Sequence, residues 1–129
     1  MTTQANGNKR QNFYPLSGIN KNAPLTQKLS SVLSSGEQFY AAPLIYCGVL
    51  IAVGMNNNVF SADAKTGEAK MRRNLGAPYN IAAEDPTCRD ITNNVGALAT
   101  PVIDPNSNTV FITYRTYRSG TSSGKSNAM

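Results

Sequence analysis

The sequence contains no histidine and no tryptophan, and only 2 of its 129 residues are cysteines. Histidine is the usual base that activates a serine or cysteine nucleophile, so its absence argues against that class of enzyme, including a nucleophilic Cys88 beside Arg89. Cys47 and Cys88 stand far apart and lack the close spacing of a zinc site. We therefore predict no catalytic residue and no metal site in this chain.

Two cysteines are also too few for a disulfide scaffold. A bridge between Cys47 and Cys88 would add about 4 kcal/mol of stability by the loop-entropy estimate. The alternative is two separate thiols, one buried and one in a loop. The sequence leaves both alternatives open.

Charged residues make up only 15% of the chain, and 12 basic against 7 acidic residues give it a net charge of +5. A basic chain can attract nucleic acid or anionic lipid. Here the basic residues are scattered, and the tightest group, Lys70, Arg72 and Arg73, lacks neighbouring aromatic residues for base stacking. We predict a solvated strand or loop face at this group and no nucleic-acid partner.

Near the end of the chain, aromatic and basic residues alternate at Tyr114, Arg115, Tyr117 and Arg118. This pattern fits a nucleic-acid or glycan surface. It fits equally a strand edge on which arginine stems lie, with their charged ends in water. We favour the strand edge.

An acidic group, formed by Glu84, Asp85 and Asp90, could bind a cation or act as acid and base. Neighbouring residues of an extended chain point in different directions, however. We therefore favour a solvated acidic loop.

The sequence has no long apolar run. No segment approaches the ~20 apolar residues that a membrane-spanning helix requires, and residues 1–14 are polar, without the apolar central region of a signal peptide. The most apolar segment, residues 41–54, is interrupted by Gly48 and bounded by turn residues. We therefore predict buried strands there, no membrane span and no signal peptide.

The sequence is rich in residue types that are frequent in turns and at strand ends, namely asparagine, serine, threonine and glycine. Short apolar runs between turn residues predict four strands, over residues 42–46, 49–53, 59–62 and 68–73. Residues 55–58 are predicted to form a turn, because asparagine tolerates positive φ. The four strands should form an antiparallel meander, which indicates an all-β fold.

Less regular segments flank this meander. Residues 75–95, which include two prolines, are predicted to be a long irregular stretch, followed by strands over 97–104 and 109–115. Residues 1–12 are predicted to be a disordered leader and residues 119–129 a Ser/Gly-rich tail. Residues 22–33 have apolar residues at helical spacing but include poor helix formers, so periodicity leaves helix and strand open.

The most specific stretch of the chain lies between the third and fourth predicted strands. There Asp63 can accept backbone N–H groups across a turn, Thr66 can do so from the other side, and Gly67 supplies a φ that residues with a β-carbon resist. This Asp-x-x-Thr-Gly pattern resembles the repeat of quinoprotein-like (pyrroloquinoline quinone-type) β-propellers. In that family a tryptophan follows the glycine by four residues, and Met71 stands at that position here.

The resemblance implies an all-β fold of antiparallel four-stranded propeller blades, with about one and a half blades in residues 13–118. Residues 42–53 would supply the first two strands of one blade, and residues 100–104 would begin the next. A further strand is implied at residues 28–33. Met71 would replace an aromatic ring that packs between adjacent blades, and would specify that packing less well.

The function implied by the resemblance is a non-catalytic β-propeller scaffold or binding fragment of unknown ligand. The alternative is the N-terminal part of a quinoprotein-type oxidoreductase. Its catalytic residues, pyrroloquinoline quinone and calcium would then belong to a longer parent protein, since the adjacent cysteines of those enzymes are not found here. A third hypothesis is a truncated product that does not fold alone.

The implied partners are missing propeller blades, or other copies of the chain that pair with its exposed strand edges. We therefore expect the isolated chain to oligomerise, to aggregate or to remain partly unfolded. The family would imply a periplasmic or extracellular location, although residues 1–14 carry no export signal.

Overall fold

The computed structural model describes residues 20, 22–24, 27, 30, 32–84, 87, 90–91, 93–119 and 126–128. The strands are β1 (Leu44–Tyr46), β2 (Val49–Val53), β3 (Asn58–Asp63), β4 (Ala69–Asn74), β5 (Tyr79–Asn80), β6 (Asn94–Val95), β7 (Val102–Asp104), β8 (Thr109–Phe111), β9 (Arg115–Tyr117) and β10 (Ser126–Ala128). A single helical turn, α1 (Ile81–Glu84), lies between β5 and β6. The prediction of a mostly β protein is confirmed.

The largest sheet contains the first four strands in the order β1-β2-β3-β4, each antiparallel to the next. This is the predicted meander, and its strand bounds differ from the predicted ones by two residues or fewer. The sheet is open, with β1 and β4 at its edges.

The β1–β2 hairpin illustrates why these residues form strands. β2 has the sequence Val-Leu-Ile-Ala-Val, whose branched side chains favour the pleated conformation. Tyr46 pairs with Val49 across a two-residue turn. In that turn both Cys47 (φ 48°) and Gly48 (φ 77°) have positive φ, which matches the twist of the tightest hairpins.

The remaining strands form two-stranded sheets, β5 with β6, β7 with β8, and β9 with β10. An isolated bridge between Pro78 and Thr116 connects the segment before β5 with β9. The stretch 75–95, predicted to be irregular throughout, is therefore partly ordered, because β5, α1 and β6 lie within it.

Two predicted strands are shorter in the structure. Residues 97–104 contain only β7, because the chain before it includes Pro101, which has no N–H to donate to a strand ladder. The predicted strand 109–115 divides into β8 and β9. Residues 112–114 leave the ladder, and Arg115 donates its N–H to the carbonyl of Gly96 at 3.3 Å.

The core lies on one face of the four-stranded sheet, called here the core face. Val53 and Val59 pair across β2 and β3 and belong to this face. The other buried or packed members of the cluster are Ala41, Ala97, Leu75, Ile112 and Tyr114. The chain after β7 thus covers the core face.

The opposite face of the same sheet is apolar as well. Phe60 is 2% exposed and meets the ring of Phe39 edge to face, with centroids 5.6 Å apart. Ile45 pairs with Leu50 on this side and is 44% exposed. Both faces of the sheet therefore carry apolar side chains.

Several sequence predictions fall outside the described residues. These are the leader over 1–12, half of the strand over 28–33 and most of the tail over 119–129. Ser30, Val32 and Leu33, the described residues of the strand predicted over 28–33, do not lie in a strand. Of the tail, the structure describes β10, which pairs with β9. In the part of the chain that is described, no helix is long and apolar enough to cross a membrane.

Candidate functional site

The turn between β3 and β4 is built by the Asp-x-x-Thr-Gly motif. The Asp63 carboxylate accepts backbone N–H bonds from Lys65 (2.9 Å) and Thr66 (3.1 Å). The Thr66 hydroxyl accepts the N–H of Glu68 at 3.3 Å, and Gly67 adopts φ 73°. Asp63 in turn donates its own N–H to the carbonyl of Glu68 at 2.8 Å. The three motif residues are thus used to close a hairpin.

These contacts hold Asp63 in its ionised form. The N–H groups of Lys65 and Thr66 make the largest contributions, and the Lys70 ammonium, 3.1 Å from Oδ2, adds to them. Together they lower the pKa of Asp63 from 3.8 to about 2. The carboxylate is therefore a fixed acceptor for the turn.

The β7–β8 turn has the same design. Asp104 ends β7, and its carboxylate accepts the hydroxyl of Ser107 (2.6 Å) and the N–H of Asn106 (3.0 Å). These bonds, that from Ser107 first, lower the pKa of Asp104. Asn108 stands four residues after the aspartate, as Gly67 does in the other turn, and has φ 50°. Two hairpins of this chain thus share an aspartate-capped turn.

Side-chain amides gather around the β2–β3 turn. Oε1 of Glu37 accepts the N–H of Asn56, and Oε2 accepts Nδ2 of Asn58, both at 2.7 Å. Asn74 donates Nδ2 to Oδ1 of Asn58 at 3.0 Å, and Asn94 donates Nδ2 to Oδ1 of Asn56 at 2.7 Å. This amide cluster joins β3, β4, β6 and the segment before β1.

A polar cleft of about 110 Å³ opens beside the amide cluster. It is lined by Gly36, Gln38, Met55, Asn56, Asn93 and Asn94. Sites for small organic ligands are generally about 300 Å³ or larger. We therefore regard this cleft as part of the packing of the turn.

A larger, apolar groove lies between the core face of the sheet and the chain after β7, and is called here the seam groove. Its volume is about 440 Å³, within the range of small-ligand sites. Its lining includes Val49, Ile51 and Val59 from the sheet, with Val110, Ile112 and Tyr114 opposite. The last three alternate along the chain between the start of β8 and the start of β9.

The three basic residues of β4 have different surroundings, although all are exposed as predicted. Lys70 pairs with Asp63. The Arg72 guanidinium lies over the ring of Phe60, 5.7 Å from its centroid, whereas Arg73 lines the seam groove. Adjacent side chains of a strand lie on opposite faces of the sheet, so the Arg72 and Arg73 side chains lie on opposite faces.

The alternating aromatic and basic residues near β9 also lie in different surroundings. Tyr114 lines the seam groove, and the Arg115 guanidinium lies over the ring of Tyr79 at 3.8 Å. Tyr117 is 2% exposed, and its hydroxyl accepts the N–H of Asn80 at 3.0 Å. These residues therefore do not form one continuous surface for stacking bases.

The cysteines lie apart from these features. Cys47 is in the β1–β2 turn, where its side chain is exposed. Cys88 lies outside the described residues, so the bridge between the two stays a prediction. Glu84 and Asp90 are exposed, and Asp85 lies outside the described residues.

The described residues bring together no group of three or more His, Cys, Asp or Glu side chains that could hold a metal ion. The quinone enzymes among quinoprotein-like propellers, whose repeat the Asp-x-x-Thr-Gly motif resembles, use adjacent cysteines, and Cys47 and Cys88 are not adjacent in the sequence. The residues present do not fit a quinone and calcium centre, and we assign no chemistry through one.

Sequence reasoning did not foresee the contacts of two charged residues, Glu37 in the amide cluster and Arg73 at the seam groove. Glu37 carried no signal, because its amide partners lie about 20 residues away or more along the chain. Arg73 did carry a signal, namely its alternation with Arg72 along a strand. That signal needs a known strand register before it assigns a face.

The chain was compared with family models, with curated proteins and with solved structures, and none of them matches it. Support for a function therefore comes from the seam groove and the turns around it.

Proposed function

We propose that the β1–β4 sheet is one blade of a β-propeller of the quinoprotein-like class, and that the protein is a non-catalytic scaffold that binds a ligand. The observation that carries this proposal is the cover of the core face by β8 and the chain after it, which leaves the seam groove between them. In a propeller each blade packs against its neighbours. β7 and β8 would be the first two strands of the next blade.

The two apolar faces of the sheet support this assignment, since a blade between two neighbours must bury both. Val53 and Val59 are buried under the following chain, whereas Ile45 on the opposite face is 44% exposed. A preceding blade, or a second copy of the chain, would cover Ile45. The outer edge of β4 is a further surface for self-association, which its basic side chains would limit.

Met71 supports the same assignment. It stands where the propeller repeat has its tryptophan, it lines the seam groove, and it is 48% exposed. A side chain smaller than an indole at an interblade position leaves unfilled space. An indole at position 71 would fill part of the seam groove.

The chemistry of these surfaces favours binding over catalysis. The seam groove is mainly aliphatic, and the amide cluster is engaged in its own hydrogen bonds. Asp63 and Asp104 are used by their turns. The sequence supplies no histidine as a base.

The test is Met71→Trp, which gives the chain its single tryptophan. We expect the indole to enter the seam groove, so that its fluorescence shifts to shorter wavelength and resists quenching by acrylamide. The added apolar burial should raise the free energy of unfolding by about 1 kcal/mol. Tryptophan fluorescence during urea unfolding of the whole chain measures both effects.

Phe111→Trp is the matched control. Phe111 is 58% exposed on β8, and it faces away from the groove because its neighbour Val110 lines the groove. Its indole should emit as a solvated tryptophan. If the two indoles emit at the same wavelength and are quenched equally, the groove is not an interblade seam and the proposal is wrong.

A further inference from the structure

Among the described residues, the lining of the seam groove combines an aliphatic wall with one cationic side chain. Val49, Ile51, Val59, Leu75, Val110 and Ile112 supply the aliphatic wall. Arg73, opposite Val59 in the β3–β4 ladder, supplies the cation. Burying a hydrocarbon on such a wall is favourable by roughly 25 cal/mol per Å² of apolar surface.

Arg73 differs from the other basic residues of β4 in what it contacts. Lys70 is neutralised by Asp63 at 3.1 Å, and Arg72 lies over Phe60. No acidic side chain among the described residues pairs with Arg73. Its guanidinium therefore places a positive charge at the groove, with no acidic partner in the part of the chain that the structure describes.

We propose that the seam groove binds a small amphipathic carboxylate, whose hydrocarbon part lies on the aliphatic wall and whose carboxylate pairs with Arg73. The proposal rests on the binding role proposed above and names its ligand class. A planar guanidinium matches a carboxylate with two parallel hydrogen bonds. The apolar surroundings strengthen such a pair relative to one in open water.

The experiment compares sodium octanoate with 1-octanol, two probes that share an eight-carbon chain and differ in charge. Each is titrated into the whole chain by calorimetry, below the concentration at which octanoate forms micelles. We expect octanoate to bind about tenfold more tightly, because only octanoate can pair with Arg73. This preference should shrink at high salt, since ions screen the pair.

Two neighbouring arginines provide the variants. Arg73→Gln should bring octanoate to the affinity of octanol, whereas Arg72→Gln, on the other face of β4, should keep the tenfold preference. Both residues are exposed, so neither change should unfold the sheet, and circular dichroism checks this. Equal binding of the two probes to the unmodified chain, no binding of octanoate, or an equal effect of the two variants would overturn the proposal.

Met71→Trp separates this inference from the blade assignment. If its indole is shielded and octanoate nonetheless fails to bind the unmodified chain, the blade assignment stands and the proposed ligand class is wrong. If its indole is exposed, the blade assignment fails whatever octanoate does. If the indole is shielded and octanoate does bind the unmodified chain, Met71→Trp should weaken octanoate binding at least severalfold, because the indole occupies the same groove.

Discussion

Asn57 and Gly96 are in direct contact: a β-carbon on Gly96 would overlap Oδ1 of Asn57 and the carbonyl oxygen of Met55. Asn57 is completely buried, and its Oδ1 has no hydrogen-bond partner among the described residues. Its Nδ2 donates to the carbonyl of Arg115 at 2.8 Å, and Arg115 donates its N–H to the carbonyl of Gly96. The β2–β3 turn is thereby joined to the chain next to β6 and to the start of β9.

We predict that Gly96→Ala destabilises the protein by about 2 kcal/mol. The added methyl group meets backbone and a buried amide, neither of which can move freely. Gly36→Ala is the control, because Gly36 has φ 75° but nothing near its β-carbon position, and should cost about 1 kcal/mol. Urea unfolding of both variants measures the difference.

The same contact can be tested from the other side in an Asn57→Gly background. Glycine accepts the φ of 58° found at Asn57, and it removes Oδ1 while the Met55 carbonyl remains. Gly96→Ala should therefore cost less in this background than in the unmodified chain. An equal cost in both backgrounds would mean that the Asn57 side chain is not the obstacle.

The lowered pKa of Asp63 predicts a specific loss of stability in acid. Its pKa is about 2 in the folded protein against 3.8 without these contacts. The stability it contributes is therefore complete above about pH 4 and is lost as the pH falls towards 2. Asp63→Asn keeps an acceptor oxygen but not the charge, so its stability should fall less across this window in urea unfolding at stepped pH.

Gly36→Ala provides the comparison for the acid experiment, because it changes stability without adding or removing a titratable group. Its stability should therefore fall with pH in parallel with that of the unmodified chain. Asp104, whose pKa is also lowered, should retain part of the acid response in Asp63→Asn. If Asp63→Asn and the unmodified chain lose stability in parallel between pH 4 and pH 2, the Asp63 carboxylate does not support the turn.

Glu37 is predicted to be a structural anchor of the amide cluster. Its carboxylate accepts two hydrogen bonds of 2.7 Å, from Asn56 and Asn58, and bonds to a charged acceptor contribute about 1.5–3 kcal/mol each. Glu37→Ala should therefore cost about 2 kcal/mol or more in thermal unfolding, and Glu37→Gln should cost less. Glu68→Ala, an exposed change in the β3–β4 turn, should stay within about 0.5 kcal/mol. A Glu37→Ala cost as small as this control would contradict the anchor.

The meander could be predicted from the sequence because its signals are local. The branched residues of β2, the two-residue turn at Cys47 and Gly48, and the aspartate at the end of β3 each act within a few residues of themselves. Asn57 was predicted only as one of three turn asparagines, and its burial was not foreseen. Its surroundings come from Gly96 and Arg115, far along the chain.

The sequence by itself determined the four strands of the β1–β4 sheet and how its β1–β2 and β3–β4 turns close, because backbone dihedral preferences and short-range hydrogen bonds depend on neighbouring residues. It also determined the absence of histidine and tryptophan. Only the tertiary structure decided that Arg73 lines the seam groove while Arg72 lies over Phe60, and that Glu37 joins the amide cluster. Faces and distant partners follow from strand register and packing, which local sequence does not encode.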